Sequence, residues 1–299
     1  MKFTVFTPTY ERAHTLARVY NSLCAQTFSD FEWVIVDDGS IDGTADLVAG
    51  WQTENRFPIS YEKQPNQGKH IAVNLGATLA QGDLFLIADS DDAFPPNALE
   101  IFHDAWTAIP VSDRRNFTGV TGLCVDQDGK IIGDKFPADI FDSTPADCFY
   151  RHGIKGEKWG FHRTDVIRKF PFPALTGFRY FAEGVIWNAI GRVYKTRYIN
   201  QPVRVYHSDS GNQLTRRSPF ETSPMRIFYA MFLDADIDYV TVAPWTLFKI
   251  AAQGVRFSCH QRDSLKMQFS RFSDQRAKAV WMCALPVGFA LFVIDRVFK

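Results

Sequence analysis

Three short stretches in the first hundred residues concentrate groups able to do chemistry: Thr7-Pro8-Thr9-Tyr10-Glu11-Arg12, Asp37-Asp38-Gly39-Ser40 and Asp89-Ser90-Asp91-Asp92. Along a strand, side chains i and i+2 point to the same side, so Asp89 and Asp91 can converge on one hard cation. Paired carboxylates of this kind suit Mg2+ or Mn2+ shared with substrate phosphates, because those ions keep positions open for other oxygen ligands. The same run also works as an acidic helix start, with Asp92 as the cap ahead of Pro95-Pro96. Asp-Gly-Ser is turn and cap chemistry, yet a carboxylate at a strand end can also accept the N3–H of a uracil. One carboxylate of the Asp37–Asp38 pair is therefore read as a cap and Asp38 as a ligand, with Tyr10 offering an aromatic face to the base.

Each stretch follows a strand pattern. KFTVFTP (2–8), FEWVIV (31–36), ISYEKQ (59–64) and DLFLIAD (83–89) are β-rich runs. Between them, Leu16, Val19, Tyr20 and Leu23 fall at helical spacing, Leu47, Val48 and Trp51 form the inner face of a second helix, and residues 68–80 form a third. Pro95-Pro96 opens a fourth helix carrying Leu99, Phe102, Trp106 and Ile109. Four βα units in series predict an open, mostly parallel α/β sheet with right-handed crossovers. Ligands of such sheets collect at the carboxyl ends of the strands, where the three polar stretches lie. No GxGxxG follows the first strand, which removes the main dinucleotide signal.

After Pro110 the rhythm changes. Residues 117–126, the Asp128-Gly129 turn and residues 130–134 read as an antiparallel hairpin. A short strand is expected around Trp159 to Phe161, a helix over 184–192 and strands over 193–200 and 203–207; residues 225–299 read as helices with basic faces. The expected division is a βα half (1–110), a mixed second half of the same domain (111–224) and a helical C-terminal extension (225–299).

The chain has 299 residues, 46% hydrophobic and 15% aromatic, enough to bury a full core without disulfide or metal staples. Its 33 basic and 33 acidic side chains cancel, which excludes a generic nucleic-acid binder. The balance is uneven: residues 1–110 carry 6 Lys/Arg against 15 Asp/Glu, residues 111–255 carry 19 against 15, and residues 256–299 carry 8 against 3. The five cysteines include no CxxC pair, which reads as a reducing compartment without structural zinc. Residues 1–20 lack the layout of a signal peptide.

The stretches FTPTYERAHTLARVYNSLCAQTFSDFEWVIVDDGSIDGT and QPNQGKHIAVNLGATLAQGDLFLIADSDD together resemble the inverting glycosyltransferases of family 2, with the GT-A fold. The resemblance covers residues 1–110 and implies that Thr7, Tyr10 and Asp38 hold the nucleoside, Lys69 contacts phosphate, and Asp89 and Asp91 hold Mn2+ or Mg2+ on the diphosphate. GEKWGFHRTDVIRKFPFP (156–173) and FAEGVIWNAIGRVYKTRYINQPVRVYH (181–207) resemble the acceptor side of a bacterial subset. There the resemblance implies Glu183 as catalytic base, with Glu157 in reserve, and His207 as a further ligand of the metal or diphosphate. An inverting transfer needs one carboxylate to take the proton of the attacking hydroxyl.

The expected donor is a nucleotide-diphosphate sugar, a UDP-sugar, and the expected acceptor a saccharide or lipid-linked saccharide of bacterial surface-polysaccharide assembly, at the cytoplasmic face of the inner membrane. Arg216 and Arg217 read as a solvated basic turn rather than a diphosphate clamp. Within residues 256–299, positions 256–278 interleave basic and aromatic side chains before the uncharged run Ala279–Ile294, 16 residues and short of a spanning helix. That layout suits peripheral contact with an anionic membrane; a C-terminal helix packed on the core is the alternative. Two other functions fit less well. A nucleotidyltransferase would carry a glycine-rich, basic phosphate loop after the first strand, and a non-catalytic sugar-nucleotide scaffold would have no need of Asp91 or Glu183.

Overall fold

A computed structural model of the chain describes residues 2–174, 178–207 and 225–297. Strands β1 (Phe3–Thr9), β2 (Phe31–Asp37), β3 (Ile59–Lys63) and β4 (Leu84–Ile87) alternate with helices α1 (Ala17–Cys24), α2 (Thr44–Glu54) and α3 (Lys69–Leu79). Then follow α4 (Ala98–Thr107), β5 (Phe117–Val125), β6 (Ile140–Ser143), α5 (Pro145–Tyr150), β7 (Lys158–Arg163), α6 (Thr164–Lys169), α7 (Gly184–Gly191) and β8 (Lys195–Val205). The C-terminal part holds α8 (Arg226–Ala235), α9 (Pro244–His260), α10 (Leu265–Phe269) and α11 (Gln275–Val297). The chain forms two compact units. Unit 1 comprises Met1–Pro145, Ile154–Tyr180 and Ile190–Ser210; unit 2 comprises Ala146–Gly153, Phe181–Ala189 and Gly211–Lys299.

Unit 1 is built on one sheet of order β3-β2-β1-β4-β7-β5-β8-β6. The first four strands are parallel to one another, β7 is antiparallel to β4 and β5, β8 is parallel to β5, and β6 is antiparallel to β8. This is the GT-A-type, mostly parallel sheet expected. β1 and β2 are buried along their whole length, as central parallel strands covered on both faces must be. On one face Phe3, Trp33, Leu86, Phe102 and Phe161 join the inner sides of α1, α2 and α4 in one core. On the other, Phe6 stacks on Phe85, and α3 comes so close that a Cβ on Gly76 would meet the Phe6 ring at 2.1 Å.

The expected hairpin over 117–134 is only partly formed. Its turn closes through Gly129 N–H to Asp126 O and one bridge pairs Val125 with Ile131, but residues 130–134 form no strand. β5 instead pairs with β7 and β8, burying Val120, Leu123 and Cys124 completely. The two strands expected over 193–207 are one irregular strand, β8.

Unit 2 packs α8, α9 and α11 around Leu233, Leu247, Ala251, Val255, Trp281 and Ala284. Buried Asp236 is satisfied by the Tyr150 hydroxyl at 3.1 Å and the Asn188 amide at 2.7 Å. α11 runs 23 residues, well past the uncharged run of 16, and by length and composition it could cross a membrane.

Candidate active site

The carboxyl ends of β1, β2, β4 and β8 supply one group of polar side chains in unit 1. Backbone bonds join them first. Asp38 N–H donates to Thr9 O, Glu11 N–H to the Ser40 hydroxyl, and Ile41 N–H to the Glu11 carboxylate. The loops after β1 and β2 are thus tied together, and Tyr10 stands at their edge, 49% exposed.

Both carboxylates of the Asp37–Asp38 pair have work within the fold. Asp37 accepts from Ser40 N–H at 2.8 Å and the Tyr61 hydroxyl at 2.6 Å, which is the cap role expected. Asp38 accepts from Gln67 N–H, Gly68 N–H and the Gln64 amide at 2.7–2.8 Å, so it organises the loop that leads into α3. Three of roughly four lone-pair sites on its oxygens are taken, which leaves one for a ligand. Gly68 sits at φ +98°, and a Cβ there would lie 2.2 Å from Arg179 O, so only glycine fits between Asp38 and Lys69. Thr7 is fully buried, and its hydroxyl accepts from the Trp33 indole at 2.9 Å, so its side chain belongs to the core. Thr9, two residues on, is also buried, and its hydroxyl has no hydrogen-bond partner among the described residues.

The 89–92 loop lies against β8 because Ala93 and Val205 exchange both backbone hydrogen bonds, at 2.7 and 3.3 Å. That bridge sets Arg204 beside the acidic run. Its Nε is 2.7 Å from Asp92 Oδ2, an ion contact off the hydrogen-bond axis, and its terminal nitrogens lie 3.7 Å from Asp89 and 4.0 Å from Glu157. Lys69 Nζ is 2.5 Å from Asp89 Oδ1, and Arg12 is 4.0 Å from Asp91. Burial raises the Asp89 pKa, but Lys69 and Arg204 outweigh it and hold the carboxyl below its usual range. Asp92 goes the other way. Burial, against the pull of Arg204 and helped by the charge of Asp89, pushes it up to about 7. Burial also opposes the charge of Arg204, but Asp92 and Asp89 keep it above the ordinary guanidinium range.

The residues expected from sequence are thus distributed unevenly. Tyr10, Asp38, Lys69, Asp89 and Asp91 lie on one edge of unit 1, and Glu157 joins them through Arg204. His207 has its Nδ1 2.6 Å from the Gln127 amide. Among the described residues no three His, Cys, Asp or Glu side chains gather as a metal group, so Asp89, Asp91 and His207 do not form a three-ligand cage. Two carboxylates still fit Mg2+ or Mn2+ shared with phosphate oxygens, since those ions need only one or two protein carboxylates. Glu183 belongs to unit 2, where its carbonyl accepts the Ile186 and Trp187 amides at the start of α7. Arg216 and Arg217 lie outside the described residues. Two site residues were given no role from the sequence: Arg12 and Arg204. Arg12 stood in the first polar loop as a visible signal, whereas Arg204 gave none.

The family description "Glycosyl transferase family 2" matches residues 4–117. A glycosyltransferase of Nostoc sp. is 40% identical over 221 residues, 71% of this chain and 66% of that protein. A glycosyltransferase of Mycoplasma pneumoniae is 30% identical over 232 residues, 71% of this chain and 70% of that protein. The chain therefore spans about two thirds of the length of these relatives. Residues 1–349 of Staphylococcus aureus TarS, solved in complex with UDP-GlcNAc, share the fold with a TM-score of 0.62 and 20% identity, covering 98% of this chain and 82% of that one.

Proposed function

This chain belongs to glycosyltransferase family 2, and on that premise we propose that it moves a sugar from a UDP-sugar to a saccharide hydroxyl with inversion at the anomeric carbon. Transfer from a nucleotide sugar is what the family does; donor, acceptor and stereochemistry are the proposal. The observation that carries it is the convergence of Tyr10, Asp38, Lys69, Asp89, Asp91 and Arg204 on one sheet edge. That edge offers an aromatic face and a carboxylate to a nucleobase, and cations to a diphosphate. The TarS structure bound to UDP-GlcNAc supports a uridine donor.

Asp89 and Asp91 would hold Mn2+ or Mg2+, which supplies Lewis-acid stabilisation of the leaving diphosphate when bound. Lys69 and Arg12 add positive charge beside the same oxygens, and Arg204 fixes the Asp89 and Asp92 carboxylates. In the transfer, the acceptor oxygen forms its bond to the anomeric carbon as the bond from that carbon to the diphosphate oxygen breaks. The hydroxyl proton passes to a carboxylate, Glu183 in this proposal, and the nucleoside diphosphate leaves. A second reading gives the proton to Glu157, because Arg204 links that carboxylate to the donor-site cluster. The proposed setting is bacterial surface-polysaccharide assembly at the cytoplasmic membrane face.

Thermal-shift titration against UDP-GlcNAc, other UDP-sugars and GDP-mannose, with and without Mn2+, tests the donor site. A ligand at about a hundred times its dissociation constant should stabilise the fold by roughly 2.7 kcal/mol. Asp91→Asn should lose the Mn2+-dependent part of that shift. No stabilisation by any nucleotide sugar, with or without Mn2+, overturns the reading.

A further inference from the structure

Beyond the reaction, we infer that unit 2 docks through α11 and α10 into the interfacial layer of an anionic lipid membrane, lying along the surface rather than crossing it. One side of α11 packs on α9, where Gly288 seats against Ala252 and Val255 so closely that any Cβ would clash at 2.5–2.7 Å. Farther along, Asp295 takes Arg256 and His260 of the same helix. The opposite side is apolar and open. Met282, Val287, Phe289, Val293, Ile294 and Val297 are 40–67% exposed, and only 22% of the most apolar part of the helix is buried. Met282, Phe289, Val293 and Val297 follow at i, i+7, i+11 and i+15, one helical face about 22 Å long at 1.5 Å per residue. α10, whose Phe269 lies under Lys278 at the start of that face, also presents Leu265 and Met267, both more than half exposed.

Charge identifies the occupant. The three acidic groups of residues 256–299 are each held internally: Asp263 by Arg226 and Arg271, Asp274 by Arg276, and Asp295 by Arg256 and His260. The segment carries 8 Lys/Arg against those 3 acids, so its surplus is basic. Arg262, Lys266 and Arg296 are exposed, and Lys278 lies 5.0 Å over the Phe269 ring at the start of the apolar face. Basic side chains beside an apolar helical face match anionic headgroups above and acyl chains below. A second copy of the chain would set the same basic surplus against itself. A spanning α11 would have to leave α9, exposing buried Ala277, Trp281 and Ala284 and drawing the Arg256–Asp295–His260 cluster toward hydrocarbon.

The full chain should float with vesicles of phosphatidylcholine containing roughly one-third phosphatidylglycerol, at least about tenfold better than with phosphatidylcholine alone, since each basic group near an anionic surface contributes about fivefold. Alkaline carbonate should release it. Phe289→Glu with Val293→Glu, both at exposed positions, should abolish flotation while leaving the circular-dichroism melt unchanged. If that pair unfolds the chain, Lys266→Glu on exposed α10 and the salt dependence of the unsubstituted protein give the same test, each predicting weaker flotation. Equal flotation with both vesicle types, none with either, or resistance to carbonate overturns the inference. So does a stable dimer in sedimentation velocity that Phe289→Glu dissociates.

Discussion

Arg204→Met tests whether the acidic run after β4 is held by a buried charge network. The guanidinium is 8% exposed, 2.7 Å from Asp92 and 3.7 Å from Asp89; Glu157, at 4.0 Å, is 56% exposed and adds little. At an effective dielectric of about 20, unit charges at those separations attract by roughly 4–6 kcal/mol per pair. Desolvating the three ions offsets most of that. Methionine keeps the length of the stem but leaves Asp92, 2% exposed, without its counter-charge. Removing one partner of a buried pair costs about 3–5 kcal/mol where the remaining group stays charged. Asp92 is already raised to about 7, so Arg204→Met should approach that loss only above about pH 8 and lose less at about pH 7, where Asp92 takes up a proton.

The cost arises from the stranded carboxylate, so neutralising it should return part of the loss. In a cycle of Arg204→Met, Asp92→Asn and the double variant, the expected coupling is about 2 kcal/mol. Urea unfolding followed by tryptophan fluorescence reads it, because Trp33, Trp51, Trp106 and Trp159 all lie buried in unit 1. If the single losses simply add, within about 0.5 kcal/mol, the contact is an ordinary surface pair. Arg204 then does not position the site.

Gly68→Ala should destabilise the chain by about 2 kcal/mol or more, because a Cβ meets Arg179 O at 2.2 Å in a backbone region nearly confined to glycine; a melting temperature equal to the unsubstituted chain contradicts this. His162 bonds the Thr118 hydroxyl at 2.9 Å, and burial lowers its pKa from 6.5 to about 4. Below pH 6.5 the unfolded chain gains a proton that the folded chain refuses, so stability should fall by at most about 3 kcal/mol between pH 6.5 and 4. His162→Gln should flatten that part of the pH–stability curve. Glu183→Gln should keep donor-induced stabilisation and lose turnover; a fully active Glu183→Gln with an inactive Glu157→Gln moves the base to Glu157.

The first four βα units are readable from sequence because every determinant is local: apolar periodicity, Pro95-Pro96 at a helix start and glycine at the turns. The sheet beyond β4 is not. β5 could have turned back on residues 130–134, yet it pairs with β7 and β8, more than thirty residues distant. Side-chain period reports that a run is a strand but carries no label for its partner. The same limit applies to the site. Asp89 and Asp91 declare themselves by spacing, whereas Arg204 reads as an ordinary strand arginine until the Ala93–Val205 bridge brings β8 alongside. Thr7 shows the converse. The family resemblance implied a nucleoside contact for it, but the period-2 alternation that buries Phe3 and Val5 turns Thr7 onto the same inner face, toward Trp33.

The charge pattern is reinterpreted in the same way. The 15 acidic against 6 basic side chains of residues 1–110 leave a negative surplus, part of which a divalent ion could offset locally. In the fold, Asp89, Asp91 and Asp92 already face Lys69, Arg12 and Arg204, the last supplied from 112 positions beyond Asp92. The 89–92 run is therefore matched one for one by cations of the chain, and a metal ion at Asp89 and Asp91 would add positive charge to that run rather than cancel negative. That surplus is what two phosphates need. A donor diphosphate and its cation should consequently bind as a unit, each weakly without the other. Calorimetry of Mn2+ alone, UDP alone and the two together measures that coupling. Full Mn2+ affinity in the absence of UDP would show that the carboxylates, and not the missing phosphates, set the demand for metal.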